Sequence, residues 1–250
     1  MATDSRPRAA IVLAAGKGKR MKSDLPKVLH EIHGRPMIRI LLDTLEPLAF
    51  DRTVVVIGFK GDLVEKALAD YPVDFVWQHE QRGTGHAVMM ARERLRDFDG
   101  TTLVCAGDVP FLTERSVRDL ISVHERTKAA ATCLSAIFDD PTGYGRIVRD
   151  GDSDFLRAIV EHKDASEEIQ RIREINSGTF CFDNRRLFGV IDDIDDRNAQ
   201  GEYYLTDAVK ILHGKGLKVA VVTCREPDEV RGVNSKEQLE ALAEKFAPGL

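Results

Sequence analysis

The sequence predicts an α/β protein, a mostly parallel sheet with helices on both faces and a small lobe of antiparallel character. Two observations carry this. Short apolar, β-branched runs alternate with segments of helical spacing through the first half of the chain, as repeated βα units do. After Ala129 the alternation gives way to strand-like runs with few helices between them. A length of 250 residues can bury a large core and suits one domain, or a domain with an appended lobe. The expected division is a core of residues 8–128 and 204–250, with the lobe inserted at about 129–203.

Each element has a local reason. Ala9–Leu13 is an apolar run of the length of a buried strand. Met37–Leu45 has helical spacing, with Ile38, Leu41, Leu42 and Leu45 on one side. Thr53–Ile57 reads as a strand, Asp62–Leu68 as a helix and Val73–Trp77 as a third strand. Thr84–Leu95 reads as a helix, Thr101–Cys105 as a strand and Glu114–Arg126 as a helix. In the lobe, Thr132–Phe138, Gly145–Val148 and Ile175–Phe182 read as strands and Glu167–Ile172 as a short helix. Tyr204–His213 returns to helix, Lys218–Thr223 to strand and Ser235–Phe246 to a closing helix, with Ser235 as N-cap and Gln238 at the capping-box position. Ligands of such a sheet bind beyond the carboxyl ends of its strands.

The net charge of −5 argues against a general nucleic-acid binder, which needs a basic surface. Cys105, Cys133, Cys181 and Cys224 form no C-x-x-C pair and read as small buried thiols of a reducing compartment. The stretch Met-Ala-Thr-Asp-Ser-Arg-Pro-Arg has no apolar signal region, and no segment approaches the length of a membrane span. A cytoplasmic protein without nucleic-acid or membrane partners is expected. Its oligomeric state is not readable.

The positive charge is instead local. The run Ala9–Leu13 ends in Ala14, Ala15 and Gly16, residues small enough for backbone to approach a ligand. Lys17, Lys19, Arg20, Lys22 and Lys27 then follow, with Asp24 the only acid among them. A strand ending in a bare cationic loop suits a polyphosphate, although charge runs are also found as solvated turns. The dinucleotide fingerprint fails because Met21 stands at its third glycine, and no Gly-Lys-Ser/Thr of a P-loop is present.

The sequence Leu13-Ala14-Ala15-Gly16-x-Gly18-x-Arg20-Met21, followed by Leu25-Pro26-Lys27, resembles the opening of the sugar-nucleotidyltransferases. Among them it is most similar to the uridylyltransferase domains of bacterial N-acetylglucosamine-1-phosphate uridyltransferases. The resemblance implies a Rossmann-like nucleotidyltransferase fold whose loop wraps a nucleotide triphosphate, with Arg20 and Lys27 neutralising its phosphates. In Cys105-Ala106-Gly107-Asp108-Val109-Pro110, Asp108 follows a buried strand and Gly107 leaves room for ligand. Asp108 matches the family's metal-binding aspartate, although the family often carries Tyr where Ala106 stands. Asn234 of Gly232-Val233-Asn234 matches its second metal ligand and also borders the sugar site. The implied cofactor is Mg2+, which favours hard oxygens and takes one or two from protein.

In Gln78-His79-Glu80-Gln81-Arg82-Gly83-Thr84, the residues Gln78, Gly83 and Thr84 match nucleotide-binding positions, and Thr84 is also placed to cap the next helix. An amide can both donate to and accept from a uracil edge. Gly145, Glu161, Asn176, Tyr203 and Thr206 lie in segments matching sugar-site elements, where a carboxylate or amide can bond hydroxyls or an N-acetyl group. The motifs run from residue 13 to residue 234 in the family's order. The resemblance therefore implies a uridylyltransferase making UDP-N-acetylglucosamine and pyrophosphate from UTP and N-acetylglucosamine 1-phosphate. The nucleophile is already an anion, so no catalytic His is expected among His30, His33, His79, His86 and His162, although His86 could approach the nucleotide. The family's long form continues into an acetyltransferase domain of hexapeptide repeats, and no such repeat is found before Leu250. Two other readings stay open: a related transferase using another sugar phosphate or another NTP, and a non-catalytic sensor of a nucleotide sugar.

Overall fold

The computed structural model describes residues 6–151 and 153–246, with the side chain of Lys19 left out. The five N-terminal residues read for a signal region, and the Lys19 ammonium group of the basic loop, lie outside the described residues.

The chain opens with strand β1 (Arg8–Ala14), a short hairpin of β2 (Glu31–Ile32) and β3 (Arg35–Pro36), and helix α1 (Met37–Leu45). There follow β4 (Arg52–Ile57), α2 (Gly61–Ala67), β5 (Asp74–Trp77), α3 (Thr84–Met90), β6 (Thr101–Ala106) and α4 (Glu114–Thr127). The second half holds β7 (Ala131–Ile137), β8 (Arg146–Arg149), β9 (Leu156–Val160), α5 (Glu167–Gln170) and β10 (Glu174–Asp183). The last elements are α6 (Asn184–Phe188), α7 (Leu205–Gly214), β11 (Val219–Thr223) and α8 (Lys236–Lys245).

Nine strands form one sheet, in the order β11-β7-β10-β6-β1-β4-β5, with β8 and β9 paired off this path beside β10. The pairs β1–β4, β1–β6, β4–β5 and β7–β11 are parallel, and β10 runs antiparallel to both β6 and β7. The fold is thus α/β with a mostly parallel sheet. Strand β1 lies in its middle, and Ala9, Ala10, Ile11 and Val12 are all fully buried. Its side chains alternate between two cores, with Ala9 and Ile11 in one and Ala10 and Val12 in the other. A strand covered on both faces has to be apolar throughout, as this one is. Of the stretch expected to form a lobe, β7 and β10 lie within the central sheet, and β8 and β9 make the antiparallel extension.

Helix α1 has the expected bounds, and Met37, Ile38, Leu41, Leu42 and Leu45 are its buried residues. Helix α3 is shorter than expected: it ends at Met90, and a separate 3₁₀ turn takes Arg92–Arg94. All four cysteines are free and buried. No helix among the described residues is long and apolar enough to cross a membrane.

The carboxyl ends of β1 and β6 and the segment after β11 meet along one edge of the sheet. A third apolar cluster ties them together. Met21 of the basic loop packs with Ile32, Met37, Val233 and Leu242, so the loop after β1 is anchored to the segment preceding α8. Two backbone bonds complete the tie: Gly107 N–H donates to Leu13 O at 2.9 Å and Val233 N–H to Asp108 O at 2.9 Å.

Candidate active site

Three side chains converge at this edge. The Lys27 ammonium group donates to Asp108 Oδ2 and, at 2.7 Å, to Asn234 Oδ1. Lys27 starts a 3₁₀ turn whose next two residues, Val28 and Leu29, are buried and hold it in place. Its stem lies against Gly18, at φ +62°, where an added Cβ would stand 2.7 Å from Lys27 Cβ. Asp108 emerges just after β6, and at Gly107 a Cβ would come within 3.1 Å of Val28 Cγ1. Ala106 is partly buried at the end of β6. Asn234 precedes Ser235, the N-cap of α8, whose hydroxyl accepts from Gln238 N–H. The Gln238 side chain accepts from Asn234 N–H at 2.8 Å, so the capping pair also fixes the amide residue.

The carboxylate and the amide oxygen therefore face one cationic point, and such hard oxygens fit a divalent cation. Among the described residues no group of three or more His, Cys, Asp and Glu side chains could hold a metal. A cation bound by this pair would take its remaining ligands from water and phosphate, as Mg2+ does.

The other cations of the loop divide. Lys17 Nζ sits over the Phe59 ring, 5.1 Å from its centroid. Arg20 and Lys22 are exposed. Burial raises the Tyr144 phenol above its ordinary pKa, and the charges of Arg231, Asp108 and Arg20 act on it. Tyr144 and Arg231 carry no local sequence signal beyond preceding Gly145 and Gly232. Ala14 and Ala15 are buried, Leu13 is partly so, and Gly16 is exposed with nothing within 4 Å of an added Cβ.

A second group surrounds the loop after β5. Gln78 is 3% exposed, and its Nε2 lies 3.1 Å from Gly83 O and 3.0 Å from His86 Nδ1. With Nε2 held beside Gly83 O and by His86 of α3, the side-chain oxygen is the atom left to meet a ligand. Gly83 has φ +108°, and a Cβ there would lie 2.6 Å from Tyr203 O. Tyr203 N–H donates to Arg82 O at 2.8 Å, and Gly85 N–H donates to Tyr203 O at 2.7 Å. Thr84 does not cap its own helix: Gly83 is the N-cap of α3, without a side-chain bond. The Thr84 hydroxyl instead accepts from Leu205 N–H at 3.1 Å, at the start of α7. Tyr203 faces this group too, its hydroxyl accepting from Arg82 at 3.0 Å.

A third group lies where β8, β9 and β10 meet. Glu161 Oε1 accepts from the Thr206 hydroxyl at 3.0 Å. Burial pushes the Glu161 carboxyl above its ordinary pKa, against the lowering effect of that bond. Both Glu161 oxygens lie 3.3 Å from the Cβ position of Gly145, so no side chain fits there without pressing on the carboxylate. Asn176 N–H donates to Gly145 O at 2.9 Å, and Asn176 Oδ1 accepts from Gly178 N–H at 2.9 Å. A cavity of about 570 Å³ borders Glu161 and Thr206 but not Lys27, Asp108, Gly145 or Asn176. It is a different space from the edge where Lys27 meets Asp108 and Asn234.

The family model of the MobA-like NTP transferase domain matches residues 10–174. The chain is similar to the bifunctional protein GlmU of Heliobacterium modesticaldum, 50% identical over 232 residues, which are 93% of this chain and 50% of that protein. It is also similar to the bifunctional protein GlmU of Streptococcus uberis, 49% identical over 92% of this chain and 50% of that protein. The chain thus spans about half the length of the curated relatives it matches. Its fold matches a crystal structure of UDP-glucose pyrophosphorylase complexed with UDP-glucose, with a TM-score of 0.75, 15% identity and coverage of 96% of this chain and 98% of that one.

Proposed function

The chain belongs to the MobA-like NTP transferase domain family, and from that premise we propose that it is a uridylyltransferase. It makes UDP-N-acetylglucosamine and pyrophosphate from UTP and N-acetylglucosamine 1-phosphate, with Mg2+. The observation that carries the reading is the convergence of Lys27, Asp108 and Asn234, from three distant parts of the chain, at the carboxyl edge of the sheet. The relatives named bifunctional protein GlmU support the sugar and the base. The second activity that their name implies is not assigned to this chain.

In this reading an oxygen of the sugar phosphate attacks the α-phosphorus of UTP in line. The bond from that phosphorus to the bridging oxygen breaks, and pyrophosphate leaves with the electron pair. The nucleophile carries its own negative charge, so alignment and charge neutralisation supply the rate enhancement. Lys27 and Arg20 offset charge on the α-phosphate and the departing pyrophosphate. Asp108 and Asn234 would hold the divalent cation, which when bound would supply further positive charge to the phosphate oxygens. The backbone from Leu13 to Gly18 lies along the nucleotide. Ala106 and Gly107 keep the end of β6 open to it, and Gln78, Gly83 and Thr84 frame the base. The Gln78 carbonyl accepts from the uracil N3–H. Glu161, Asn176, Gly145 and Thr206 orient the sugar, with Tyr203 joining the base side to the sugar side.

A panel of UTP, CTP and dTTP against N-acetylglucosamine 1-phosphate and glucose 1-phosphate, followed by pyrophosphate release in excess Mg2+, tests this. UTP with N-acetylglucosamine 1-phosphate is expected to give the highest kcat/KM. A different preferred pair would reassign the substrates. Tight binding of the nucleotide sugar with no turnover for any pair would make the protein a sensor.

A further inference from the structure

We propose that Arg146 is a positioning residue that fixes the sugar side of the site: its side chain bonds the segments that carry Gly145 and Glu161, and its backbone pairs with the strand that carries Asn176. The inference rests on the function proposed above.

Arg146 is 1% exposed and is the largest fully buried side chain among the described residues. A guanidinium is almost never buried unless it is paired, because desolvating the charge is costly. Yet among the described residues no carboxylate forms a salt bridge with it. Its hydrogen bonds go to three neutral acceptors. Nη1 donates to Tyr144 O, Nε donates to Gln170 O at 3.3 Å, and Nη2 lies 3.3 Å from His162 Nδ1. Arg146 is permanently protonated, so His162 Nδ1 is the acceptor and the imidazole hydrogen sits on Nε2. Burial lowers the pKa of the guanidinium, and the charge of Asp140 partly opposes this.

The backbone of Arg146 is placed in the same way. It pairs with Ile175 in β10 and with Val160 in β9. Each of the three sugar-site residues is therefore adjacent in sequence to a residue that Arg146 holds. Gly145 lies between Tyr144 and Arg146 itself. Glu161 lies between Val160 and His162. Asn176 follows Ile175, and its N–H is bonded to Gly145 O at 2.9 Å. The two Glu161 oxygens lie 3.3 Å from the Gly145 Cβ position, so a small shift of either segment would change the carboxylate's reach. The planar guanidinium spreads its donors over three nitrogens in a fixed geometry, which lets it reach Tyr144, Gln170 and His162 at once. A lysine in its place keeps the charge and loses the fork.

The test uses Arg146→Lys, Arg146→Met, His162→Ala and His162→Asn. Two readouts are the separate KM values for UTP and the sugar 1-phosphate. A third, independent of turnover, is the affinity ratio of UDP-N-acetylglucosamine to UDP by calorimetry. Both Arg146 variants are expected to raise the sugar-phosphate KM about tenfold or more, as for a lost hydrogen bond to a charged group, and to leave the UTP KM within about twofold. The affinity ratio is expected to fall by the same factor. His162→Ala is expected to give a smaller shift in the same direction, and His162→Asn, which keeps an acceptor, to restore most of it.

An unchanged sugar KM and affinity ratio in Arg146→Lys would overturn the inference. So would a parallel rise of both KM values, which a general loss of structure would produce. If the Arg146 variants do not fold, unchanged sugar values in His162→Ala overturn it instead. Failure of the proposed function looks different: the unmodified protein then releases no pyrophosphate from any pair, while the affinity ratio still reads Arg146. An unmodified protein that binds UDP-N-acetylglucosamine no more tightly than UDP overturns both.

Discussion

Substituting Gly83 with alanine tests the seam between the base loop and the start of α7. Gly83 has φ +108° and ψ 175°, a conformation almost closed to residues with a side chain. The new Cβ would lie 2.6 Å from Tyr203 O and 2.9 Å from Tyr203 N, both backbone atoms. They cannot rotate away, because Tyr203 N–H is bonded to Arg82 O at 2.8 Å and Tyr203 O accepts from Gly85 N–H at 2.7 Å. The backbone conformation costs about 1–3 kcal/mol. The overlap costs about as much again, as overpacking of an interior does. The sum is about 2–6 kcal/mol. For a chain of this size it lowers the melting temperature by about 4–24 °C. Thermal unfolding followed by circular dichroism reads that shift. The same displacement moves Thr84 away from Leu205 N–H, so the UTP KM is expected to rise as well. A melting temperature within about 1 °C of the unmodified protein would refute the reasoning, since the strain and the overlap would both have been misjudged.

Three more outcomes follow from the same geometry. Gly16→Ala meets no atom within 4 Å, so its stability is expected to change by less than about 0.5 kcal/mol while UTP affinity falls; a titration of UTP beside a denaturant curve checks both. Lys27→Ala and Asp108→Ala are each expected to cut turnover about a hundredfold, a loss on the order of 3 kcal/mol of transition-state stabilisation, in a protein that still folds; near-normal pyrophosphate release would remove these roles. Glu161→Gln is expected to be more stable than the unmodified protein at pH 7. Burial raises the Glu161 carboxyl above its ordinary 4.5, so the folded state holds its proton more tightly than the unfolded chain. Stability is therefore lost as pH rises from about 4.5 through the raised value, and the variant escapes that loss. Melting curves at pH 7 and pH 4 are expected to differ between the two proteins only at pH 7, while the sugar-phosphate KM of the variant rises.

Much of the fold is legible in the sequence because its elements declare themselves locally. Met37–Leu45 has apolar residues on one face, and the helix occupies those nine positions. The run at Ala9–Val12 is apolar on both faces, as a strand between two cores has to be. Strand β9 escapes because Phe155-Leu156-Arg157-Ala158 follows a turn and mixes a charge into a short run. Helix α6 escapes because it has only five residues and is set by the Asp183 carboxylate accepting from Arg186 N–H.

The site is legible to a lesser degree. Asp108 can be placed from its own neighbourhood, since a buried strand and a glycine precede it. Asn234 cannot, because it reaches Lys27 across 207 residues. The apolar cluster that holds Met21 and Val233 and brings them together leaves no local pattern. Arg146 is hidden for a different reason: a charged residue reads as surface, and only the folded chain shows three acceptors around it.

The central claim is that the loop after β1 and the pair Asp108 and Asn234 together grip a nucleotide triphosphate. A crystal structure of the protein soaked with UTP and Mg2+ tests this most directly. The account predicts phosphate density between residues 13–27 and Asp108, with the cation on the Asp108 carboxylate and the Asn234 amide oxygen, and with Lys27 on a phosphate oxygen. Nucleotide bound elsewhere, or a cation that avoids both side chains, would contradict it.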